Sequence, residues 1–285
     1  EPYMIDRSHA DAIAGIKTLK VVSIEDGESE SNPSAAFTTS TLQMAAQNSL
    51  QLTPKQTMEL AQKLYEAGAI TYMRTDSVNF SAEAFVALKE YAINNDLPIE
   101  DKQRLFASKG GAQEAHEAIR PTSFNRKEVG DGKIQALYNM IWMRAVASQL
   151  KAARYKTREA VLNQTVLVTE DGRQVNKTAV FKAKGRQLIY SGWKDLTTLN
   201  YSEVEDDDKE VESSNQIPML TVDQVVDVTR CEVKEKNTTP PKRLTSVGLI
   251  KRIESAGIGR PSTYVPIVET LERREYIRYE KKQIH

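Results

Sequence analysis

The feature that most constrains the fold of this 285-residue chain is a change in the spacing of its apolar residues. Between residues 33 and 157 apolar side chains recur every three or four positions, which is typical of amphipathic helices. At 19–24 and again from about residue 160 they alternate with polar residues, as in β-strands. Because strands lie on both sides of the helices, we expect an α+β protein with a helical domain inserted into an antiparallel β domain.

Local signals predict where several elements begin and end. Residues 53–56 (Thr-Pro-Lys-Gln) have the spacing of a capping box with proline at the first helical position, and Gly68 follows the predicted helix. Ser40 and Gln43 have the same spacing, and Ser81 is suited to cap a third helix. A fourth helix is expected from 133 to about 153. Strands are expected at 160–169, 178–184, 187–190 and 221–234, with Asp171-Gly172 as a turn and 27–33 as a polar loop.

The last fifty residues have a different organisation. A helix over 245–256 should end at Gly257, a second helix follows 259–262, and 276–284 has an extended, basic pattern. Helix, tight turn, helix and strand in this order are typical of a winged-helix-like module. The expected domains are therefore a β domain (1–32 and 158–234), a helical domain (33–157) and part of a helical DNA-binding domain (235–285).

The composition excludes some classes of protein, whereas the net charge leaves the partner open. No run approaches the ~18 apolar residues of a membrane span. The single cysteine, Cys231, excludes an internal disulfide framework and favours an intracellular location. Lysine and arginine balance aspartate and glutamate at 39 each, but 142–158 carries five bases and no acid. A basic surface suits a nucleic-acid binder, although solvated helix faces would have the same composition.

The first candidate site lies in the stretch 69–77. If this stretch is extended, Tyr72 and Arg74 point to the same side, because strand residues two apart do so. A phenol with a pKa near 10 needs a stabilised anion to act as a nucleophile, and a guanidinium beside it provides that as well as a phosphate ligand. Asp76 would orient the arginine, and Thr75 and Ser77 would donate hydrogen bonds to phosphate. The alternative is an interfacial tyrosine beside a surface ion pair.

The second candidate site lies in 113–122, where His116 and Arg120 would share a face if the segment is helical. Both side chains suit a phosphate, while a surface salt bridge is the simpler interpretation. A metal site is not expected here, because His9 and His285 are the only other histidines. The acidic run at 206–208 is interpreted as a solvated loop.

The third candidate site is 257–264 (Gly-Ile-Gly-Arg-Pro-Ser-Thr-Tyr). Small hydroxyl residues at a helix start provide backbone N–H groups and a helix dipole for an anion. Arg260 adds charge, and Ser262 and Thr263 add donors. An ordinary helix-turn-helix corner remains the alternative.

Taken in order, these stretches resemble the motifs of the type IA DNA topoisomerases, in the bacterial topoisomerase I branch. Residues 70–77 look like the family's nucleophile motif, 116–122 like its second motif and 257–264 like its third. The segments 37–43 and 65–68 also match, and Met73, Glu117 and Arg120 favour topoisomerase I over topoisomerase III. The resemblance covers nearly the whole chain and is weakest before residue 31 and in the acidic stretch.

The resemblance implies specific roles. Tyr72 would attack a phosphodiester of single-stranded DNA to give a 5′-phosphotyrosine, with Arg74 and His116 as the other catalytic residues. The enzyme would relax negatively supercoiled duplex DNA without ATP, as a monomer in the bacterial cytoplasm near the nucleoid and without a membrane partner. The expected DNA-binding residues are Arg74, Asp76, His116, Arg120, Arg260, Ser262 and Thr263.

One departure from the family pattern changes what is expected of this chain. Its one Asp-x-Asp-x-Glu spacing, at 206–210, lies in the acidic run interpreted as a solvated loop, so the sequence shows no counterpart of the family's Mg²⁺-binding Toprim domain. We therefore expect a central fragment without a cofactor of its own, in which the β segments form the family's arch and residues 235–285 form part of its helical single-strand-binding domain. Such a fragment should bind single-stranded DNA weakly and fail to relax supercoiled plasmid. The competing hypotheses are a non-catalytic DNA-binding protein with a winged-helix-like module and, less favoured because the tyrosine comes first, a tyrosine recombinase.

Overall fold

The computed structural model describes residues 7–107, 116–170, 172–197, 217–280 and 283–285. These residues form two compact units. The first unit contains the described residues within 1–30, 154–190 and 208–240, and the second contains those within 31–153, 191–207 and 241–285. Among the described residues no helix is both long enough and apolar enough to span a bilayer.

The first unit is built around a four-stranded sheet. Helix α1 (Arg7–Ala14) precedes β1 (Thr18–Ser31), and β2 (Ala153–Glu170) and β3 (Arg173–Tyr190) form a long antiparallel hairpin. Strand β4 (Val225–Asp227) pairs antiparallel with the start of β1, which gives the order β3-β2-β1-β4. Val21, Ala160 and Leu162 form its small buried core.

The strands confirm most of the sequence expectations and correct two. The expected strands at 160–169, 178–184 and 187–190 lie within β2 and β3, and Gly172 follows the hairpin turn with φ +77°, whereas Asp171 lies outside the described residues. The expected loop at 27–33 is wrong, because β1 continues to Ser31 and packs Gly27 against Thr157. The strand expected at 221–234 shortens to Val225–Asp227, because β4 pairs only with residues 18–20 of β1.

The second unit is mainly helical. Its helices are α2 (Thr39–Leu50), α3 (Pro54–Glu66), α4 (Ala82–Asn94), α5 (Gly132–Ala147), α6 (Lys194–Thr197), α7 (Ser246–Ser255) and α8 (Tyr264–Arg273). A two-stranded hairpin of β5 (Tyr279–Glu280) and β6 (Gln283–Ile284) follows, where the sequence predicted one extended segment. The side chains of Leu42, Leu64, Leu88, Leu137, Tyr138 and Ile141 are among its fully buried core.

Side-chain caps explain where these helices begin. Thr53 and Gln56 form the predicted reciprocal capping box of α3, and Ser81 caps α4. The capping box predicted at Ser40 and Gln43 is wrong by two residues, because Thr38 and Thr41 form the box that starts α2. The predicted long helix is α5, which ends at residue 147 and therefore earlier than expected.

The C-terminal helices confirm the predicted pair. Thr245 caps α7, and Gly257 with φ +72° ends it before α8. Residues 241–285 belong to the same compact unit as the other helices, since α7 packs against α2 as well as α8, whereas the sequence suggested a separate domain. The α+β class with an antiparallel sheet is confirmed, while the expected domain boundaries stay a prediction.

Candidate active site

Three separate segments of the second unit lie side by side at the candidate site. The backbone N–H of Thr71 donates to the carbonyl of Arg120 at 2.9 Å, and Ile70 and Pro121 form an antiparallel bridge. Ile119 in turn donates to the carbonyl of Phe37 at 2.8 Å. The first and second sequence motifs are therefore neighbours in space, although 47 residues separate Thr71 from Ala118, whose carbonyl accepts the Thr71 hydroxyl.

The segment that carries Tyr72 alternates between exposed and buried side chains. Tyr72 and Arg74 are exposed, whereas Met73 and Thr75 are 1% exposed. The segment is bent and pairs as a strand only around Ile70, yet the alternation places the phenol and the guanidinium on the solvent side. This agrees with the side-chain directions expected from the sequence.

Thr39 fixes the backbone on either side of Arg74. Its buried hydroxyl donates to the carbonyl of Met73 at 2.8 Å and accepts from the N–H of Thr75 at 2.9 Å. The backbone N–H of Thr39 also donates to the carbonyl of Thr75 at 2.9 Å. Because buried polar groups are costly to leave unpaired, this network holds the nucleophile segment in one conformation.

Thr75 and Ser77 do not act as the phosphate donors that the sequence suggested. Both are buried, and the hydroxyl of Thr75 accepts a hydrogen bond from the N–H of Ser77 at 3.0 Å. Their hydroxyls stabilise the turn after Arg74 and do not face solvent. This expectation was wrong because the same alternation that exposes Tyr72 buries these two residues.

The exposed side chains of the first motif have few partners. The ring of Tyr72 meets the ring of Tyr65 edge to face, with centroids 5.4 Å apart, and is 44% exposed. Arg74 has no hydrogen bond or ion pair with any described residue. An exposed guanidinium without a protein partner is available to bind phosphate.

The second motif is not helical, so His116 and Arg120 do not share a helix face. Pairing with Phe37 and Ile70 holds residues 119–121 extended. His116 is exposed, whereas the Arg120 side chain is mostly buried and donates from Nε to Glu117 Oε2 at 2.6 Å. Residues 113–115 of this stretch lie outside the described part of the chain.

The ion pair also sets the protonation of Glu117. Burial alone would raise the pKa of this carboxyl. The hydrogen bond and the charge of Arg120, with a further hydrogen bond from Ser81, outweigh burial and hold the pKa below its usual value. The simpler sequence interpretation, a salt bridge, therefore applies to Arg120, in a partly buried form.

The third motif lies beside the first. Burial raises the pKa of Tyr264, and so do the nearby charges of Glu254 and Asp76, whereas Arg260 acts in the opposite sense. Asp76 of the first motif and Arg260 of the third therefore both lie near the Tyr264 phenol. The Ser40 hydroxyl lies 3.0 Å from Glu254 Oε1 and Oε2 and so joins α2 to α7 at this point.

The start of α8 exposes the side chains expected of an anion site. Arg260, Ser262 and Thr263 are exposed. The hydroxyl of Thr263 accepts from the N–H of Arg260 at 2.8 Å and makes no capping bond to the first turn of α8. The first turn of α8 thus has no side-chain cap, but the N–H of Tyr264 donates to the Arg260 carbonyl at 3.2 Å and Pro266 has no N–H, so few backbone donors remain for an anion.

Metal ligands are sparse in the described ranges. They contain no group of three or more His, Cys, Asp or Glu residues placed to hold an ion. Asp76 and Glu254 are two carboxylates near the site, below the ligand number that Mg²⁺ usually takes from protein and substrate together.

Sequence reasoning missed three residues that shape the site. Thr39 and Glu254 act through tertiary contacts across 36 and 214 positions, which no local pattern reports. Tyr65 belongs to the matched segment 65–68 but was given no role there, and it is 41% exposed and contacts Tyr72. Its spacing of seven residues from Tyr72 gave no signal of that contact.

Comparison with known proteins places this geometry in a family. The family described as DNA topoisomerase matches residues 4–285. A plasmid-borne DNA topoisomerase I of Xylella fastidiosa is 41% identical over 284 residues, which are 99% of this chain and 42% of the relative. DNA topoisomerase 1 of Pseudomonas aeruginosa is 36% identical over 282 residues, which are 95% of this chain and 30% of the relative.

A solved structure is also similar. Full-length topoisomerase I from Thermotoga maritima superposes with a TM-score of 0.78 at 27% identity, over 99% of this chain and 45% of that one. The chain thus spans less than half the length of each of these relatives. It belongs to the DNA topoisomerase family, in the type IA topoisomerase I branch that its motifs resemble.

Proposed function

We propose that this chain carries the nucleophile and strand-binding segments of a type IA topoisomerase that relaxes negative supercoils. One observation carries the proposal: Thr39 clamps the backbone so that Tyr72 and Arg74 are both exposed, directly beside the segment that contains His116. A pinned backbone supports the precise placement that nucleophilic attack requires.

In the proposed reaction the phenolic oxygen of Tyr72 bonds to the phosphorus of a single-stranded DNA phosphodiester. The bond from phosphorus to the 3′ oxygen breaks, the phenol loses its proton, and the 3′ oxygen leaves as a hydroxyl. The product is a 5′-phosphotyrosine ester. Because the ester replaces another ester, the reverse attack by the 3′-hydroxyl reseals the strand without ATP.

Cationic groups around Tyr72 would stabilise the charge that develops on the phosphate. Arg74 is the primary ligand, since it is exposed and unpaired among the described residues. His116 is an exposed second donor, and Arg260 with the start of α8 would hold a phosphate further along the strand.

The remaining predicted residues have supporting roles in the proposal. Ser262 and Thr263 would donate to the same phosphate as the start of α8. Arg120, held by Glu117, would contact the strand, and Asp76 would orient the neighbouring cations.

The proposed cofactor is Mg²⁺, bound by a Toprim domain in the full-length enzyme. When bound, this ion would offset phosphate charge beside the phenol. The described residues provide no cluster that holds it alone, so we propose that this chain binds single-stranded DNA but does not relax supercoiled plasmid by itself.

The proposal extends to the organisation of the enzyme. The first unit would form the arch and the second would carry the nucleophile and a winged-helix-like DNA-binding segment. The enzyme would act as a cytoplasmic monomer on single-stranded regions of negatively supercoiled DNA. The non-catalytic DNA-binding alternative is not favoured by the family match.

The polarity of the covalent bond tests the proposal. The full-length protein that contains this chain is mixed with an oligonucleotide labelled at either end and then denatured. A 5′-phosphotyrosine leaves the 3′-labelled piece on the protein and releases the 5′-labelled piece. Retention of the 5′ label would indicate recombinase-type chemistry, and retention of neither label would indicate a non-catalytic binder.

A further inference from the structure

The ring of Tyr65 is the one aromatic ring that pairs with the Tyr72 ring among the described residues. Their centroids are 5.4 Å apart and their planes make an angle of 68°, which is an edge-to-face arrangement. Aromatic pairs favour this geometry because the positive edge of one ring meets the negative face of the other. The two rings remain 41% and 44% exposed, so neither is held by the hydrophobic core.

The backbone of Tyr65 is fixed by the end of helix α3. It lies in the last turn of α3, whose neighbouring residue Leu64 is fully buried. The N–H of Gly68 donates to the carbonyl of Tyr65 at 2.8 Å, and the N–H of Ala69 donates to that of Leu64 at 2.8 Å. Gly68 has φ +62°, so this pair of bonds forms a glycine-terminated helix end that fixes Tyr65.

The Tyr72 side chain has few specific partners among the described residues. Its hydroxyl makes no hydrogen bond there, and no other aromatic ring pairs with it. Thr39 restrains the backbone of residues 73–75 but does not contact the phenol. The Tyr65 ring is therefore the specific side-chain contact that can favour one direction of the phenolic oxygen.

We propose that Tyr65 is a positioning residue that holds the phenol of Tyr72 in the orientation required for attack on phosphorus. This inference rests on the proposed function. An edge-to-face pair of ordinary strength favours one side-chain orientation by about two- to tenfold. Loss of the Tyr65 ring should lower the rate of covalent bond formation by about that factor, with little effect on DNA binding.

The test compares three proteins in full length: wild type, Tyr65→Leu and Tyr65→Phe. Tyr65→Leu keeps apolar bulk without an aromatic face, and Tyr65→Phe keeps the ring without its hydroxyl. In single-turnover cleavage of an oligonucleotide, Tyr65→Leu should be slowed about two- to tenfold and Tyr65→Phe should match wild type. The dissociation constant for the oligonucleotide and the thermal midpoint should be unchanged in both, because Tyr65 is exposed.

The motion of the Tyr72 ring can be measured by NMR, and it would not change if Tyr65 only stabilised the fold. With ¹³C-labelled tyrosine, the Tyr72 ring signal should show faster motion in Tyr65→Leu and unchanged motion in Tyr65→Phe. An unchanged cleavage rate in Tyr65→Leu would overturn the inference. So would weaker DNA binding at an unchanged rate, which would make Tyr65 a stacking platform for a base.

Failure of this inference is distinguishable from failure of the proposed function. If Tyr72→Phe abolishes covalent capture while Tyr65→Leu behaves as wild type, only the positioning role is wrong. If Tyr72→Phe still forms the covalent complex, the proposed function itself fails.

Discussion

At the scale of single residues, Thr39 decides how the nucleophile segment is held. Its hydroxyl satisfies the buried Met73 carbonyl and the buried Thr75 N–H at once. Thr39→Val keeps the shape but leaves both groups unpaired, so it should cost about 2–3 kcal/mol of unfolding free energy. Urea denaturation measures this loss, and covalent capture of DNA by the full-length protein should fall with it.

Thr178→Val is the matched control for this change. Thr178 is exposed on β3, so its variant should remain within about 0.5 kcal/mol of wild type. Equal stability of the Thr39 and Thr178 variants would show that the Thr39 network does not hold the segment.

The Glu117–Arg120 pair predicts an acid-sensitive contribution to stability. The pKa of Glu117 is lower in the folded protein than its ordinary value near 4.5, so the folded state binds fewer protons than the unfolded state there. The stabilisation is therefore complete above pH 4.5 and is lost as pH falls through the lowered folded pKa.

Glu117→Gln should reduce the loss of folding stability that occurs as the pH falls. Thermal midpoints measured between pH 6 and pH 3 should fall less steeply for the variant than for wild type, while Glu235→Gln, at an exposed carboxylate, should follow wild type. Identical pH profiles for all three proteins would argue against the ion pair.

At the scale of elements, local caps were predictable where the chain supplies both partners. The Thr53–Gln56 box of α3 depends on four consecutive residues, and the structure confirms it. The box at Ser40 was misplaced because its hydroxyl is bound by Glu254, which lies 214 residues away. Whether the segment around His116 is helical was left open by the sequence, and tertiary pairing with Phe37 and Ile70 keeps it extended.

Gly192 joins β3 to α6 and provides a prediction at this scale. It has φ +53°, and a Cβ there would lie 2.4 Å from the Lys151 carbonyl oxygen and 2.6 Å from that of Ala152. Gly192→Ala should therefore cost about 3 kcal/mol or more, because backbone atoms must move.

Gly132→Ala is the control, because it introduces backbone strain at a positive φ without a steric clash of the added Cβ. Gly132 has φ +51° but nothing within 4 Å of the added Cβ, so its replacement should cost only about 1 kcal/mol. Equal costs for the two variants in urea denaturation would contradict the close approach at Gly192.

At the scale of the whole molecule, the change in apolar spacing anticipated the α+β class and the long β hairpin. The grouping of 241–285 with the other helices was not predictable, because it depends on α7 packing against α2. The site could be predicted as a set of motifs. The pairing of 69–71 with 118–122 could not, because it is a tertiary contact that no local sequence pattern indicates.

The exposed cations of the second unit predict a salt-dependent affinity for single-stranded DNA. Each released phosphate counterion contributes about 0.7 to the slope of log affinity against log salt. Arg74→Gln and Arg260→Gln should each reduce that slope by about this amount in anisotropy titrations. Lys177→Gln, in the first unit, should leave the salt slope unchanged. A slope reduced by Lys177→Gln but not by Arg74→Gln or Arg260→Gln would show that the DNA strand binds elsewhere.

Covalent capture by Tyr72 is the central claim, and one substitution tests it most directly. Tyr72→Phe removes only the phenolic oxygen, and Tyr276→Phe makes the same change at another exposed tyrosine. In the full-length protein, trapping on a labelled oligonucleotide with denaturant should disappear for Tyr72→Phe and persist for Tyr276→Phe. Persistent trapping by the Tyr72→Phe protein would contradict the account.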